Sequence, residues 1–374
     1  MSYTTDLIKN VAIAGHGGTG KTTLFEHLLF AGGVIPRPET VESGKTVGDS
    51  SPEEIERKIS VHTALAHVEK NGRKINIFDT PGSSDFIGDV ILSFRASEFA
   101  LLTVDSRAGV QIETVKLWRN LETRQKPRGF FVTRLDDERA GFDNILQDIK
   151  EKFKVDPVPF TLPMGIGPDY KGVIDVLNSK AYTAGASGEL EKEGPIPGEY
   201  QDAANAARER LIEAAAEGDD SLMEKYIDKG SLDAGEMHIG LIEALAAHAY
   251  VPVFAGAALK NSGLIPFLDF MADIGPAPGT AKDVMVNPDG VQQEVPLDPD
   301  KPLAALVIKS SYDQFSGKLS WVKVLNGKLS AESEILNVTE NKKERVGKLY
   351  VCQGKKLEEI RELNTGDVGI IAKS

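Results

Sequence analysis

Two segments of the sequence carry residue types that could bind a nucleoside triphosphate and a divalent cation. Residues 15–22 read GHGGTGKT and match the phosphate-loop pattern G-x-x-x-x-G-K-[ST]. Residues 79–82 read DTPG and place a carboxylate and a hydroxyl before a tight turn. An apolar run precedes each segment, and an apolar helical pattern follows the first, which is the context that the motif requires. The two segments therefore predict one crevice that holds a triphosphate, Mg²⁺ and a mobile loop.

The chemistry of each side chain gives it an expected role in this crevice. Lys21 reaches the β- and γ-phosphate oxygens, and the Thr22 hydroxyl ligates Mg²⁺. Asp79 acts on the metal through a water, and Gly82 offers its backbone N–H to the γ-phosphate. Lys21 and Gly82 are therefore candidate catalytic groups, whereas the His16 side chain is expected to turn outward. The expected phosphate contacts are Gly15, His16, Gly17, Gly18, Thr19, Gly20, Lys21, Thr22 and Thr23.

A third and a fourth segment are candidates for recognition of the base. Residues 133–136 read TRLD and close an apolar run, so that Thr133 and Asp136 lie at a strand end and the Arg134 stem can cover the purine face. A carboxylate at Asp136 accepts from both N1–H and N2–H of guanine, a pair of donors that adenine lacks. The loop that brackets the base from the other side is predicted at Gly256, Ala257, Ala258 and Leu259. The expected nucleotide is therefore GTP or GDP.

Alternating strand and helix patterns must position these loops. Strands are predicted at residues 11–15, 65–69, 75–79, 100–105, 129–133 and 251–257, and helices at 21–30, 85–97, 110–121, 142–152 and 264–274. Such alternation predicts an α/β domain with a mostly parallel sheet, whose ligands bind at the carboxyl ends of the strands. Residues 15–22 and 79–82 both fall at predicted strand ends, which is where ligands bind in such sheets.

The remaining segments predict further domains. The rhythm breaks at residues 163–250, which we interpret as an α+β insertion, with the nucleotide domain covering 1–162 and 251–280. Residues 281–300 have little periodicity and are predicted to be a linker. Short alternating runs at 303–309, 318–325, 334–338, 344–350 and 368–372 predict an antiparallel β-barrel over 301–374. Because the last run stops at the chain end, we expect an incomplete barrel and a longer parent protein.

Composition excludes several classes of function. The net charge of −13 disfavours general DNA binding, although residues 301–374 carry 13 Lys and Arg against 9 Asp and Glu. The chain has no apolar run of 18 residues and no signal-peptide pattern at its N-terminus, and its single cysteine excludes an internal disulfide. A cytoplasmic monomer without a membrane partner is the expectation.

The motifs in this order resemble the translational GTPases, and the similarity is greatest to the elongation factor G family and its divergent elongation factor G-like group. Further similarity lies at residues 53–61, 109–119, 313–317, 346–348 and 365–367 and thus spans nearly the whole chain. The insertion falls where that family carries its extra G′ subdomain. The resemblance implies GTP hydrolysis, Mg²⁺ and the ribosome as partner. It also implies that Ser60 stands for the family's metal-ligating switch I threonine.

Departures from the family pattern bear on hydrolysis. The histidine that follows DTPG in the family is here Ser83, and the family's phosphate-loop aspartate falls on Gly18. Ser83 occupies a catalytic position, but a hydroxyl lacks the chemistry of an imidazole. The resemblance therefore predicts nucleotide and Mg²⁺ binding with slow intrinsic hydrolysis.

Three functions stay open from the sequence. The first is a ribosomal GTP/GDP switch in translocation or a related step, including ribosomal protection. The second is a GTP-binding regulatory module with weak or no hydrolysis. The third is an unrelated ATPase or kinase, which Asp136 and the predicted barrel disfavour.

Overall fold

The nucleotide domain begins with alternating strands and helices, as predicted. The computed structural model describes residues 3–185, 188–280, 282–286, 292–313 and 317–373. The first strands are β1 (Ile8–Gly15), β2 (Ala64–Lys70), β3 (Arg73–Asp79), β4 (Phe99–Asp105), β5 (Arg128–Thr133) and β6 (Pro157–Pro159). The helices between them are α1 (Lys21–Ala31), α2 (Pro52–Arg57), α3 (Ile87–Ala96), α4 (Ile112–Thr123) and α5 (Phe142–Phe153). The predicted elements are therefore present, with α3 and α4 each beginning two residues later than expected.

The insertion has its own small sheet and helices. Its strands are β7 (Thr161–Met164), β8 (Gly172–Asp175), β9 (Lys180–Thr183) and β10 (Lys192–Gly194), paired antiparallel in the order β10-β9-β8-β7. The helices are α6 (Gln201–Ala216), α7 (Asp220–Lys229) and α8 (Ala234–Ala246). Aspartates begin two of them: Asp219 caps α7, and Asp233 forms a capping box with Glu236 at α8.

The chain then returns to the nucleotide domain through β11 (Val251–Ala255) and α9 (Leu264–Asp273). The completed sheet has the order β2-β3-β1-β4-β5-β11-β6, and only the β2–β3 pair is antiparallel. Strand β11 ends at Ala255, two residues before the predicted end, because Gly256 already belongs to the following loop.

The central strands β1, β4 and β5 are buried at every position, so both faces of the large sheet are covered. In β1, Val11 and Ile13 belong to the core under α1 and α9, whereas Ala12 and Ala14 belong to the core under α3, α4 and α5. The ring of Trp118 stacks on that of Phe153, with the centroids 4.5 Å apart. Such two-sided burial is typical of parallel sheets and leaves their carboxyl edge as the place for a site. None of the helices in the described ranges combines the length and apolarity that a bilayer crossing requires.

The C-terminal strands are antiparallel, and within the described ranges they do not close into one barrel. They are β12 (Lys282–Val286), β13 (Gln292–Pro296), β14 (Ala304–Asp313), β15 (Gly317–Asn326), β16 (Lys328–Ser330), β17 (Glu334–Asn337), β18 (Lys342–Arg345), β19 (Lys348–Gln353), β20 (Lys356–Ile360), β21 (Glu362–Asn364) and β22 (Val368–Lys373). Five of them form the sheet β14-β15-β22-β19-β20, and the others pair as β12–β13, β16–β21 and β17–β18.

Two sequence predictions need correction in this region. The expected linker contains the β12–β13 hairpin, whose alternation is too short to stand out among the prolines and aspartates around it. The single strand expected at 344–350 is divided between β18 and β19, because Val346 and Gly347 lie outside both ladders. Residues 314–316 of the 313–317 motif lie outside the described residues.

A buried polar network joins the nucleotide domain to the C-terminal strands. The Lys323 ammonium of β15 forms an ion pair with Glu98 just before β4, and it donates to the Ala96 carbonyl at 2.9 Å. Asn10 of β1 donates its amide both to Glu98, at 2.6 Å, and to the Gly366 carbonyl, at 2.8 Å. Lys323 and Glu98 are each about 2% exposed at their side chains. The two parts therefore share satisfied buried charges, which lose their partners if the parts separate.

Candidate nucleotide site

The phosphate loop connects β1 to α1, and the side chain of its lysine bonds back to carbonyl groups of the same loop. Lys21 begins α1 and is buried, and its Nζ donates to the carbonyl oxygens of Gly15, at 3.0 Å, and His16, at 2.9 Å. Gly18 and Gly20 have φ values of 80° and 89°, which favour glycine. Burial lowers the pKa of Lys21 to about 8, although the nearby carboxylates Asp79 and Asp49 oppose that shift. The helix N-terminus and a buried cation thus face the same crevice, as an anion site requires.

The DTPG segment lies directly on the phosphate loop. Thr80 follows β3 and donates from its backbone N–H and its hydroxyl to the Ile13 carbonyl, at 3.2 and 2.8 Å. A Cβ atom at Gly82 would lie 2.5 Å from Lys21 Nζ and 2.7 Å from the Gly17 Cα atom. Only glycine fits this approach without displacing backbone, so the close contact explains why glycine stands there.

A set of hard oxygen atoms converges beside the phosphate loop. The Oγ1 atom of Thr22 lies 3.1 Å from the Ser60 Oγ atom. Asp79 is buried, and its Oδ1 atom has no hydrogen-bond partner among the described residues. Burial raises the pKa of Asp79 to about 7, and the neighbouring carboxylate of Asp49 adds to the shift. The sequence predictions for Thr22, Ser60 and Asp79 thus meet at one place, and an unpartnered buried carboxylate oxygen fits a divalent cation.

Asp49 is a residue of this cluster that the sequence analysis missed. It is 4% exposed, its Oδ1 atom also lacks a partner among the described residues, and burial raises its pKa. The adjacent Gly48 is so close that a Cβ atom there would lie 2.9 Å from Asp79 Oδ2. An acidic residue in the loop before Ser60 could have indicated a further metal ligand, but the loop has no periodic pattern that would have located Asp49 beside Asp79. In the described ranges no three His, Cys, Asp or Glu residues form a metal-binding group, so hydroxyls must complete this set.

Glu54 holds the loop that carries Asp49 and Ser60. Helix α2 starts with a capping box in which Ser51 and Glu54 exchange hydrogen bonds. The buried Glu54 carboxylate accepts four backbone N–H groups, those of Ser50, Ser51, Val61 and His62, at 2.9–3.0 Å. Burial alone would raise the pKa of Glu54, but these four donors hold it below its usual range. The Glu54 carboxylate thus holds both ends of the segment of residues 50–62, and this segment places Ser60 beside Thr22.

The TRLD segment contacts the phosphate loop from the next part of the sheet edge. The Thr133 hydroxyl at the end of β5 donates to the Thr19 carbonyl at 2.8 Å. Arg134 has a φ of 59°, and its guanidinium group pairs with Asp105 at the end of β4. Asp136 is partly exposed two residues further on. The pairing with Asp105 holds the Arg134 guanidinium, and contact of the alkyl stem with a base stays a prediction.

The loop after β11 contacts the strand end and the TRLD segment that are predicted to recognise the base. Gly256 donates its N–H to the Val132 carbonyl at 3.0 Å and accepts from the Leu135 N–H at 3.4 Å. Ala257 and Ala258 are buried, whereas Leu259 is 64% exposed. The structure therefore brings the 133–136 and 256–259 segments together as the sequence analysis expects.

Two other predicted positions have defined partners, and a third lies in α1. His16 Nδ1 lies 3.0 Å from the Glu113 Oε2 atom in the first turn of α4, so the side chain points away from the phosphate loop. The Ser83 hydroxyl accepts the Asp85 N–H at 3.4 Å and caps a short helical turn. Thr23 lies half-buried in the first turn of α1. Ser83 is therefore used as a cap.

The site and fold define a GTP-binding domain of the phosphate-loop class, and comparisons with known proteins agree. Residues 6–277 match the family model of the elongation factor Tu GTP-binding domain, and residues 302–374 match that of elongation factor G domain 2. The chain therefore belongs to the translational GTPases of the elongation factor G family.

Two relatives illustrate the similarity. An elongation factor G-like protein of Thermotoga maritima is 34% identical over 367 residues, which cover 98% of this chain and 52% of that protein. A crystal structure of a Thermus thermophilus protein superposes with a TM-score of 0.86 at 29% identity and covers 99% of this chain and 53% of that one. The chain thus spans about half the length of these relatives.

Proposed function

We propose that this chain binds GTP and GDP with Mg²⁺ and acts on the ribosome as a nucleotide-dependent switch. The observation that carries the proposal is the closeness of Gly82 to Gly17 and Lys21, which supports a role for the DTPG loop in sensing a γ-phosphate. Binding of a third phosphate must then move or re-order that loop, which is how such switches report their nucleotide.

The residues that fit Mg²⁺ are Thr22 and Ser60 through their hydroxyls and Asp79 and Asp49 through their carboxylates. An Mg²⁺ ion held by these residues would supply positive charge to neutralise the phosphates. Lys21 adds a second positive charge, and Glu54 keeps Ser60 beside Thr22. These residues lie on the phosphate loop, β3 and the segment before β2, so nucleotide binding couples the three.

Guanine specificity is assigned to Asp136, with Thr133 and the 256–259 loop as support. The test is displacement of a fluorescent GDP derivative by GDP, ADP and XDP. Asp136→Asn should shift the preference from GDP toward XDP, because an amide can donate to the xanthine O2 atom where the carboxylate accepted from guanine. The matched control is Asp137→Asn, since that neighbour pairs with Arg107. Tight ADP binding by the unaltered protein would contradict the guanine assignment.

Slow intrinsic hydrolysis is proposed because Ser83 caps a turn and cannot transfer a proton as an imidazole would. Single-turnover GTP hydrolysis should be slow without ribosomes, and Ser83→His should raise the rate measured with ribosomes. A wild-type rate equal to that of a histidine-bearing relative in both conditions would refute this part of the proposal.

Action on the ribosome has its own test. Co-sedimentation with ribosomes should require a non-hydrolysable GTP analogue and should fail with GDP. Pelleting that is absent with both nucleotides would leave the second candidate, a GTP-binding regulatory module, which the cap at Ser83 favours.

A further inference from the structure

A buried glutamate of the insertion caps the helix that follows the 256–259 loop. Glu191 lies between β9 and β10 and is 5% exposed. Its Oε2 atom accepts the N–H of Gly263 at 2.8 Å, and its Oε1 atom accepts those of Leu264 and Ile265 at 2.9 and 2.6 Å. These are the first N–H groups of α9, whose own N-cap residue is a glycine without a side chain to satisfy them. A helix of the nucleotide domain is therefore capped by a side chain of the insertion.

A very short connection joins α9 to the loop of residues 256–259, which we call the base loop. Ala257 and Ser262 exchange backbone hydrogen bonds, at 3.1 and 3.2 Å, so residues 257–262 form one closed loop. A Cβ atom at Gly263 would lie 2.4 Å from the Ala255 carbonyl oxygen, which leaves no slack between α9 and β11. The position of the helix start therefore fixes the position of the base loop.

Two further contacts tie the insertion to this loop. Asn261 donates its side-chain amide to the Glu189 carbonyl at 2.6 Å, and the Gly185 N–H donates to the Lys260 carbonyl at 3.1 Å. The Asn261 Oδ1 atom also lies 2.6 Å from His27 Nδ1 on α1, the helix that follows the phosphate loop. A continuous set of polar contacts thus links the insertion, the base loop and α1.

We propose that Glu191 is a positioning residue for nucleotide retention, which holds the base loop closed by capping α9 from the insertion. The proposal rests on the proposed nucleotide binding and adds a route by which displacement of the insertion would release the base. Glu191 acts through the helix and the loop and is not expected to touch the nucleotide.

The direct test is the rate at which a fluorescent GDP derivative leaves the protein after a chase with excess GDP. The assay is run at pH 8, because burial raises the pKa of Glu191 to about 7 and the ionised carboxylate is the strongest acceptor for three N–H groups. Glu191→Gln should speed release by about tenfold, and Glu191→Ala should speed it further. Glu191→Asp should be intermediate, since the shorter side chain cannot reach all three donors. If the alanine variant does not fold, the glutamine variant decides.

A matched control lies two residues away. Glu193 pairs with Lys180 at 2.8 Å on the exposed side of the same segment, so Glu193→Gln should leave release unchanged. A second measurement separates positioning of the base loop from general damage to the site. Inorganic pyrophosphate can bind only at the phosphate loop, so it should inhibit binding of the fluorescent GDP derivative equally in the Glu191 variants and the wild type. Equal release rates in wild type and Glu191→Gln would overturn the role of Glu191 but not the proposed function. The same holds if the Glu191 variants lose pyrophosphate binding to the same extent as they lose GDP binding. A wild-type protein that retains no fluorescent GDP would overturn the proposed function as well.

Discussion

Replacement of Lys323 by methionine should destabilise the whole chain, because it leaves the Glu98 carboxylate buried without a counter-charge. The remaining partner of Glu98 would be the Asn10 amide, and the Ala96 carbonyl would lose its donor. Removing one member of such a buried pair costs about 3–5 kcal/mol in the free energy of unfolding. Glu98→Leu should cost a similar amount, since it strands the Lys323 ammonium.

The double variant distinguishes this reasoning from simple loss of contacts. Lys323→Met with Glu98→Leu removes both charges and leaves only neutral groups short of a partner, which together cost about 1–3 kcal/mol. The double variant should therefore be more stable than either single variant. The exposed pair of Lys343 and Glu334, 2.8 Å apart at side chains 76% and 65% exposed, provides the control, and Lys343→Met should change stability little.

Urea unfolding followed by tryptophan fluorescence is the assay. The two tryptophans report the two parts of the chain, since Trp118 lies in α4 and Trp321 in β15. Versions with one or the other replaced by phenylalanine show whether the parts unfold together. Single variants that lose less than about 1 kcal/mol, or a double variant that loses the sum of the two, would refute the account of the buried pair.

Three further predictions follow from the site and the domain interface. Gly82→Ala should weaken binding of a non-hydrolysable GTP analogue by about tenfold and weaken GDP binding less, because the new methyl group would displace the loop from Lys21. Calorimetry that shows equal losses of affinity for the two nucleotides would contradict this. Burial alone would raise the pKa of Asp105, but hydrogen bonds from two arginines lower it to about 2. The ionised Asp105 carboxylate therefore stabilises the fold above about pH 4, and this contribution is lost as the pH falls from about 4 to about 2. Asp105→Asn should therefore be less stable than wild type at pH 5 and should approach it near pH 2.5 in urea unfolding, whereas a constant difference would count against this sign. The Cys352 thiol is buried and lies 3.4 Å from the Leu65 carbonyl oxygen, and burial raises its pKa to about 12. A disulfide reagent at pH 8 should therefore modify it only in urea, and rapid labelling of the native protein would contradict this burial.

Much of the site could be predicted from the sequence because its parts are local. A strand, a glycine-rich turn and a helix start are contiguous in residues 8–31, and β3 ends on Asp79 where the pattern placed it. Since parallel strands end at the same edge, the order of the motifs along the chain was enough to assemble them. The helix Leu264–Asp273 was equally visible, because its apolar residues recur with a helical period.

Prediction from the sequence failed where pairing partners are distant or the pattern is short. Nothing near Asp49 indicates that it meets Asp79, because the intervening loop is fixed by Glu54 rather than by a periodic element. The hairpin within 281–300 and the division of 344–350 into two strands depend on ladder partners that alternation alone does not specify.

The amino-acid sequence by itself determined the class of nucleotide, the parallel sheet and the identity of the phosphate, base and metal candidates. Only the tertiary structure showed which distant residues pack together: Asp49 beside the candidate metal ligands, Lys323 against Glu98, and Glu191 on the start of α9. The physical reason is that motifs are carried by neighbouring residues, whereas a buried charge finds its partner only when separate elements pack together. Glu191 and the helix that it caps are more than seventy residues apart in the chain, and their contact exists only in the folded protein.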